Sequence, residues 1–271
     1  MKFTNRVPAD WKELQDLVAE YLIAAGYKAI TPYEIDTARG KVEIDVCIES
    51  PYDLVKRIVC ECKYWSTPVT KEKVHAFRTV VHDCGAELGI IISKSGYQSG
   101  AIEAAKFSNV RLETWETFLD LVRDKWLDNK LWSIKTMTAR VMNYSDTYEY
   151  EAERLTGEEV PRYKDTCQNI AYIAEQGLLV RKSDLINDTD FIKRFPLYRQ
   201  SESIEHYLNE LSGKLSEALD VLESLSVKPN KPDRYIATVK AYMEETELKN
   251  ILYKPASTEA GFLMPEIQKG A

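Results

Sequence analysis

No apolar run in this chain approaches the ~20 residues that a membrane helix needs, so a membrane-spanning helix is not expected. The first eight residues, Met1 to Pro8, carry no apolar leader region, and the reading expects a cytosolic protein. Histidine is scarce, with three among 271 residues. His75, His82 and His206 stand at no metal-ligand spacing with a cysteine or an acid. There are five cysteines. An odd number, with Cys60 and Cys62 expected on a buried strand face, reads as reduced thiols and not as bridges or a zinc site. No Gly-x-Ser-x-Gly, no Walker-type phosphate loop and no dinucleotide fingerprint occurs, so nothing supports nucleotide hydrolysis. An excess of positive charge is also missing. The net charge is −7, which counts against a protein that coats nucleic acid without discrimination.

What is present is a chain long enough to bury a core in one or two domains. Residues 10–25 read as a helix. Trp11, Leu14, Val18, Tyr21, Leu22 and Ala25 form its apolar stripe, and Gly26 ends it. Three β-like runs follow at about 28–35, 41–48 and 55–63, with turns at Arg39-Gly40 and Ser50-Pro51-Tyr52-Asp53. Thr70 is a candidate N-cap for a helix carrying Val74, Phe77, Val81 and Cys84. Residues 87–93 read as a buried strand, 98–107 and 115–126 as helices, and 110–113 as a short strand. Beyond about residue 130 the apolar period weakens and tyrosines crowd 144–172. From Ile204 through Leu208, Leu211, Leu215, Ala218, Leu222 and Leu225 a 4-3-4-3 spacing returns, about three heptads of helical seam. With a second helix through Ile236, Val239 and Met243 it predicts a helical hairpin at 201–252, followed by a tail from Pro255. The seam suits either this hairpin or a coiled coil between copies.

The chemistry concentrates between residues 41 and 65. Val42-Glu43-Ile44-Asp45-Val46 and Ile58-Val59-Cys60-Glu61-Cys62-Lys63-Tyr64-Trp65 both read as strands. Alternation puts Glu61 and Lys63 on one face. Asp45 lies within the preceding strand, where an unpaired carboxylate is expensive to bury. Two acids and a lysine on adjacent strands make sense around a hard divalent cation. Such a cation beside a lysine suits attack by water on a phosphodiester.

Asp45, followed sixteen residues later by Glu61-Cys62-Lys63, resembles the PD-(D/E)xK nuclease signature. Trp11 to Tyr27 is similar to the first helix of Mrr-like restriction endonucleases, Cys60 to Trp65 to their catalytic strand, and Leu88 to Ser93 to the strand after it. The resemblance covers about residues 8–125. It implies an α/β, restriction-endonuclease-like core of order αβββαβαβ, a mixed sheet flanked by helices, at residues 1–127. A mainly α-helical region at 128–271 would then regulate, recognise or oligomerise. It also implies Mg²⁺, with Mn²⁺ as a substitute, held by Asp45, Glu61 and the backbone carbonyl of Cys62, with Lys63 beside the attacking water. Gln15 stands where many relatives place a glutamate, and would hydrogen-bond a metal water or orient Glu61. Glu20 matches a common family residue but should face solvent. Glu43 reads as a strand-end acid more readily than as a further ligand. Lys94, Arg39, Lys41, Lys71, Lys73 and Arg78 are candidate phosphate contacts, Lys94 foremost, in a Gly-containing loop that leaves a strand for a helix.

The expectation is therefore a metal-dependent DNA endonuclease acting on foreign or modified DNA. DNA is the partner, and a homodimer or higher oligomer is expected, because cutting a duplex takes two active sites or two binding events. Two other readings stand beside it. One is an effector nuclease held off by its C-terminal region until a ligand or protein partner arrives. The other is a silent nucleic-acid-binding module that keeps the fold.

Overall fold

The computed structural model describes residues 1–37, 39–49, 56–146 and 150–241. Helix α1, Trp11–Ala24, starts where the Asp10 side chain accepts from the Glu13 N–H at 2.8 Å. It stops at Gly26, whose φ of 86° suits a residue without a Cβ. Leu14, Leu17, Val18, Tyr21 and Leu22 bury its inner face. Trp11, placed on that stripe by helical angle, is 47 % exposed. It is the first residue of the helix, and contact with the core begins a turn later at Leu14.

Seven strands follow: β1 Ala29–Ile30, β2 Tyr33–Thr37, β3 Gly40–Ile44, β4 Val46–Glu49, β5 Arg57–Lys63, β6 Leu88–Ser93 and β7 Val110–Thr114. Five of them make one mixed sheet of order β1-β4-β5-β6-β7, antiparallel through β5 and parallel from there to β7. β2 and β3 form a separate antiparallel hairpin. The runs expected at 28–35 and 41–48 are thus each divided between two sheets. Pro32, with no N–H to donate, separates β1 from β2. A bend at Asp45 separates β3 from β4. The turn expected at 50–53 lies outside the described residues.

Helices α2, Lys71–Asp83, and α3, Ser99–Ala105, cover one face of the sheet. The hairpin joins them through Ile35 and Ile44, in a core with Val59, Val74, Phe77, Val81 and Ile91. The other face carries Cys60 and Cys62, both buried, under α1 and α4.

Helix α4 runs from Trp115 to Ser145. The sequence reading ends it at Trp126 and divides the chain at 127, but the helix crosses that position unbroken. Leu127, Leu131, Ile134, Thr138, Val141 and Tyr144 carry its buried side onward. Onto it pack α5, Glu159–Leu179, and α8, Ile204–Ser224. The short α6, Lys182–Asn187, and α7, Pro196–Gln200, lie between them in sequence. A helix thus occupies much of the stretch in which periodicity looked poor. Gly177 of α5 sits where a Cβ would collide with the Thr138 hydroxyl, so α4 and α5 approach as closely as glycine allows. The buried Lys135 ammonium caps the end of α5, donating to the Leu178 carbonyl at 2.8 Å and the Val180 carbonyl at 2.9 Å. The 204–225 seam is buried within the chain, from Ile204 to Leu225, against α4 and α5. Residues 234–241 are helical. The remainder of the expected hairpin and the tail from Pro255 lie outside the described residues. No helix of the described residues is long and apolar enough to cross a membrane.

Candidate active site

The bend that parts β3 from β4 brings Asp45 to β5. Register pairs Val46 with Cys60, so Asp45 stands opposite Glu61 at the end of the ladder. Its Oδ2 accepts from the Cys62 N–H at 2.7 Å. Its own carbonyl accepts from Gln15 Nε2 at 2.8 Å. Gln15 is only 2 % exposed. It reaches from α1 to the bend and fixes the backbone from which the carboxylate projects. The expectation for Gln15 was a contact with a metal water or with Glu61; its observed contact is to the Asp45 backbone.

Glu61 and Lys63 share the opposite face of β5 from the thiols, as alternation requires, and form an ion pair. In an extended strand a residue's N–H and C=O point to the same edge. The Cys62 N–H meets Asp45, so the Cys62 carbonyl faces that edge as well. Burial raises the Asp45 carboxyl to about 6. The negative charges of Glu61 and, less strongly, Glu43 push the same way, while the Cys62 N–H and the Lys63 ammonium oppose them. Burial likewise pushes the Cys62 thiol well up, so it stays protonated.

A cleft of about 250 Å³ opens here, lined by Glu43, Glu61, Lys63, Lys73, Phe77 and Val80 among others. Glu43, read as a strand-end acid, therefore borders the same space. The candidate phosphate contacts divide into two sets. Lys73 lines the cleft, and Lys94 lies over the Tyr64 ring at 3.8 Å. Arg39 instead pairs with Asp83 at 3.0 Å, Lys41 with Glu34, and Arg78 donates to the Ala104 carbonyl. Lys71 is exposed at the start of α2. The loop at Lys94 does not present free N–H groups at every position, because the Lys94 N–H is taken by the Lys63 carbonyl. α3 is too short to add an anion site. Glu20 pairs with Arg6 on the surface, away from this cluster. The aromatic pair Tyr64-Trp65 was not singled out from sequence. Its signal was there, two rings directly after the lysine of the motif.

No group of three histidine, cysteine or acid side chains placed to hold a metal ion occurs among the described residues. Two carboxylates and a carbonyl are nonetheless hard oxygen donors, the set that suits a cation keeping most of its waters. The buried charge of Asp45, raised by its acidic neighbours, is what such a cation would relieve.

A mixed five-stranded sheet flanked by helices, with acids and a lysine gathered on its central strand β5 and at the bend that leads into β4, is the restriction-endonuclease-like α/β fold. Residues 8–122 match the Mrr_cat family, described as restriction endonuclease, and this part of the chain is similar to a nuclease domain of that type. No curated protein matches the chain. Among solved structures, the crystal structure of a protein of unknown function, AF1548, is 16 % identical, with a TM-score of 0.36, covering 79 % of this chain and all of that one. A DNA modification-dependent restriction endonuclease, AspBHI, is 12 % identical, with a TM-score of 0.23, covering 46 % of this chain and 39 % of that one. Likeness at this level is too slight to bear on function.

Proposed function

We propose that the protein is a Mg²⁺-dependent DNA endonuclease, with Mn²⁺ as a substitute metal, acting against foreign or modified DNA. The observation that carries this reading is the approach of the Asp45 carboxylate to Cys62, between Glu61 and Lys63. Asp45, Glu61 and the Cys62 carbonyl would hold the metal, which would supply Lewis-acid activation of water and phosphate. Lys63 places its ammonium where negative charge develops on the phosphate, leaving Glu61 as it does so. Gln15 holds the bend and thereby the direction of Asp45. Lys73 and Lys94 hold backbone phosphates. The products would be a 5′-phosphate and a 3′-hydroxyl.

Five free thiols suit a reducing compartment such as the cytoplasm. Cutting both strands calls for two active sites, so we propose a homodimer or higher oligomer, to be measured by light scattering. Residues 1–127 would carry the chemistry and the remainder its control, a division of labour and not of cores. Supercoiled plasmid, linear duplex and RNA incubated with Mg²⁺, Mn²⁺ or EDTA test the proposal. Metal-dependent nicking of DNA is expected; cutting that persists in EDTA, or in Lys63→Ala, refutes it.

One observation favours a gated version. A cavity of about 650 Å³, lined by Arg140, Asn143, Tyr144, Glu223, Lys228 and Ile236 among others, lies away from the catalytic cleft. Asn143 is 1 % exposed and its Oδ1 has no hydrogen-bond partner among the described residues, an acceptor that a small regulatory ligand with an N–H or O–H would satisfy. Purified protein that cuts only after a low-molecular-weight lysate fraction is added, with Asn143→Leu abolishing that response, would establish gating.

A further inference from the structure

Trp65 belongs to neither apolar core. It is 37 % exposed and follows the catalytic lysine by two residues. The Lys63 and Lys73 ammonium groups stand 5.1 Å and 5.7 Å from its ring centre, and both lysines line the cleft. The Ser95 hydroxyl donates to the Trp65 carbonyl at 2.5 Å, tying its backbone to the loop after β6. An indole held at the mouth of a phosphodiester site, with cations over its ring, offers a π-face that neither apolar core covers.

Charge shows why such a face would be needed. Arg39, Lys41 and Arg78 are engaged within the chain. Lys71, Lys73 and Lys94 have no carboxylate partner among the described residues, and the net charge is −7. Roughly three phosphate contacts bind duplex DNA weakly and lose affinity as salt rises. Stacking of a base on an aromatic ring adds affinity whatever the base, but only to a base whose face is exposed. A base inside a paired duplex has both faces covered by its neighbours. In the free protein the lysines rest over the indole by cation–π attraction. A phosphate would compete with the ring for the ammonium groups and so uncover it.

We propose that Trp65 is a stacking platform for an unstacked base, so that the cleft takes DNA with at least one nucleotide out of the double-helical stack. This rests on the reading of the cleft as a phosphodiester site. The base can come from a single strand or from an extruded position in a duplex. Both present the same chemistry.

The test is fluorescence anisotropy in EDTA, with labelled single-stranded, fully paired and single-base-bulged DNA. Trp65→Leu and Trp65→Phe are compared, since the two replacements are alike in size and only one keeps a ring. Leucine should weaken binding of the single strand, the bulged duplex or both by about 5- to 100-fold. The phenylalanine variant should stay within about threefold of the parent, and the paired duplex should change little in either. Whichever unpaired DNA responds identifies the source of the base. Equal loss with both variants, equal loss on the paired duplex, or no loss at all overturns the proposal. Cleavage of the same DNAs with Mg²⁺ is scored separately. Trp65-dependent binding without cutting counts against the nuclease reading alone, and cutting with Trp65-independent binding counts against the platform alone.

Discussion

β5 has two unlike faces. Cys60 and Cys62 look into a core that continues through α1 and α4 into α5 and α8. Glu61 and Lys63 look over a smaller core and into the open cleft. An acid under the thicker cover would be prohibitively dehydrated. Under the thinner one it keeps some water and an ammonium partner. Stability and the proposed chemistry therefore fall on opposite sides of a single strand, and on that proposal each can be disturbed with little effect on the other.

Changing each side in turn breaks or sharpens that contrast. The largest effect belongs to the open side. Lys63→Ala should slow plasmid nicking by about a hundred- to thousandfold or more, with an unchanged thermal unfolding curve by circular dichroism. A lowered melting temperature in step with the lost rate would erase the separation. On the covered side, Leu211→Ala truncates a fully buried side chain of α8. It should reduce stability in urea by about 2–5 kcal/mol, and at temperatures where the fold survives its nicking rate should match the parent.

Asp45 straddles the two sides, and pH exposes it. Its folded-state value, about 6, lies above the ordinary 3.8. Its contribution to stability is therefore fully present below about 3.8 and is lost as pH rises through about 6. Without metal, Asp45→Asn should raise stability at pH 7 by about 1 kcal/mol, after allowance for solvent at its partly exposed edge. That gain should vanish near pH 4. A gain independent of pH would mean the carboxylate is not strained by burial. The smallest change is expected at Glu20→Ala, which removes an exposed pair with Arg6. It should alter stability by under about 1 kcal/mol and cleavage not at all.

The nuclease half was largely legible in sequence because its signals are local. Alternation alone sets Glu61 and Lys63 together and the thiols behind them. The stripe of α1, the continuous apolar strand β6 and the α2 stripe through Val74, Phe77 and Val81 need no distant information. What escaped depends on distant partners. The bend at Asp45 splits one apparent strand between two sheets, and nothing in Val42–Ile48 announces it except the acid itself. Gln15 reveals its contact only when the bend folds back onto α1. Arg39 and Arg78 are engaged by groups distant in the chain, the Asp83 carboxylate and the Ala104 carbonyl, and Lys41 by Glu34 across the β2–β3 hairpin. In the C-terminal half, α4 and α5 carry buried Lys135, Thr138, Asn143 and Gln176, and these polar residues blur an apolar period. The seam of α8 was plain, but only its packing on α4 and α5 shows that it is closed within the chain.

The course of α4 bears on how the protein can be taken apart. Thirty-one residues make a rod of roughly 46 Å, rooted beside the last strand of the sheet and roofed at its far end by α5 and α8. The Tyr21 hydroxyl of α1 donates to Glu205 of α8 at 2.8 Å, so α1 and α8 are stitched together beside it. Grafting the catalytic part onto another scaffold would mean sawing through that rod and tearing the stitch. The useful excision keeps the whole of α4 with its roof and the 228–241 segment that bonds to the far end of α4 through Asn143 and Asp146.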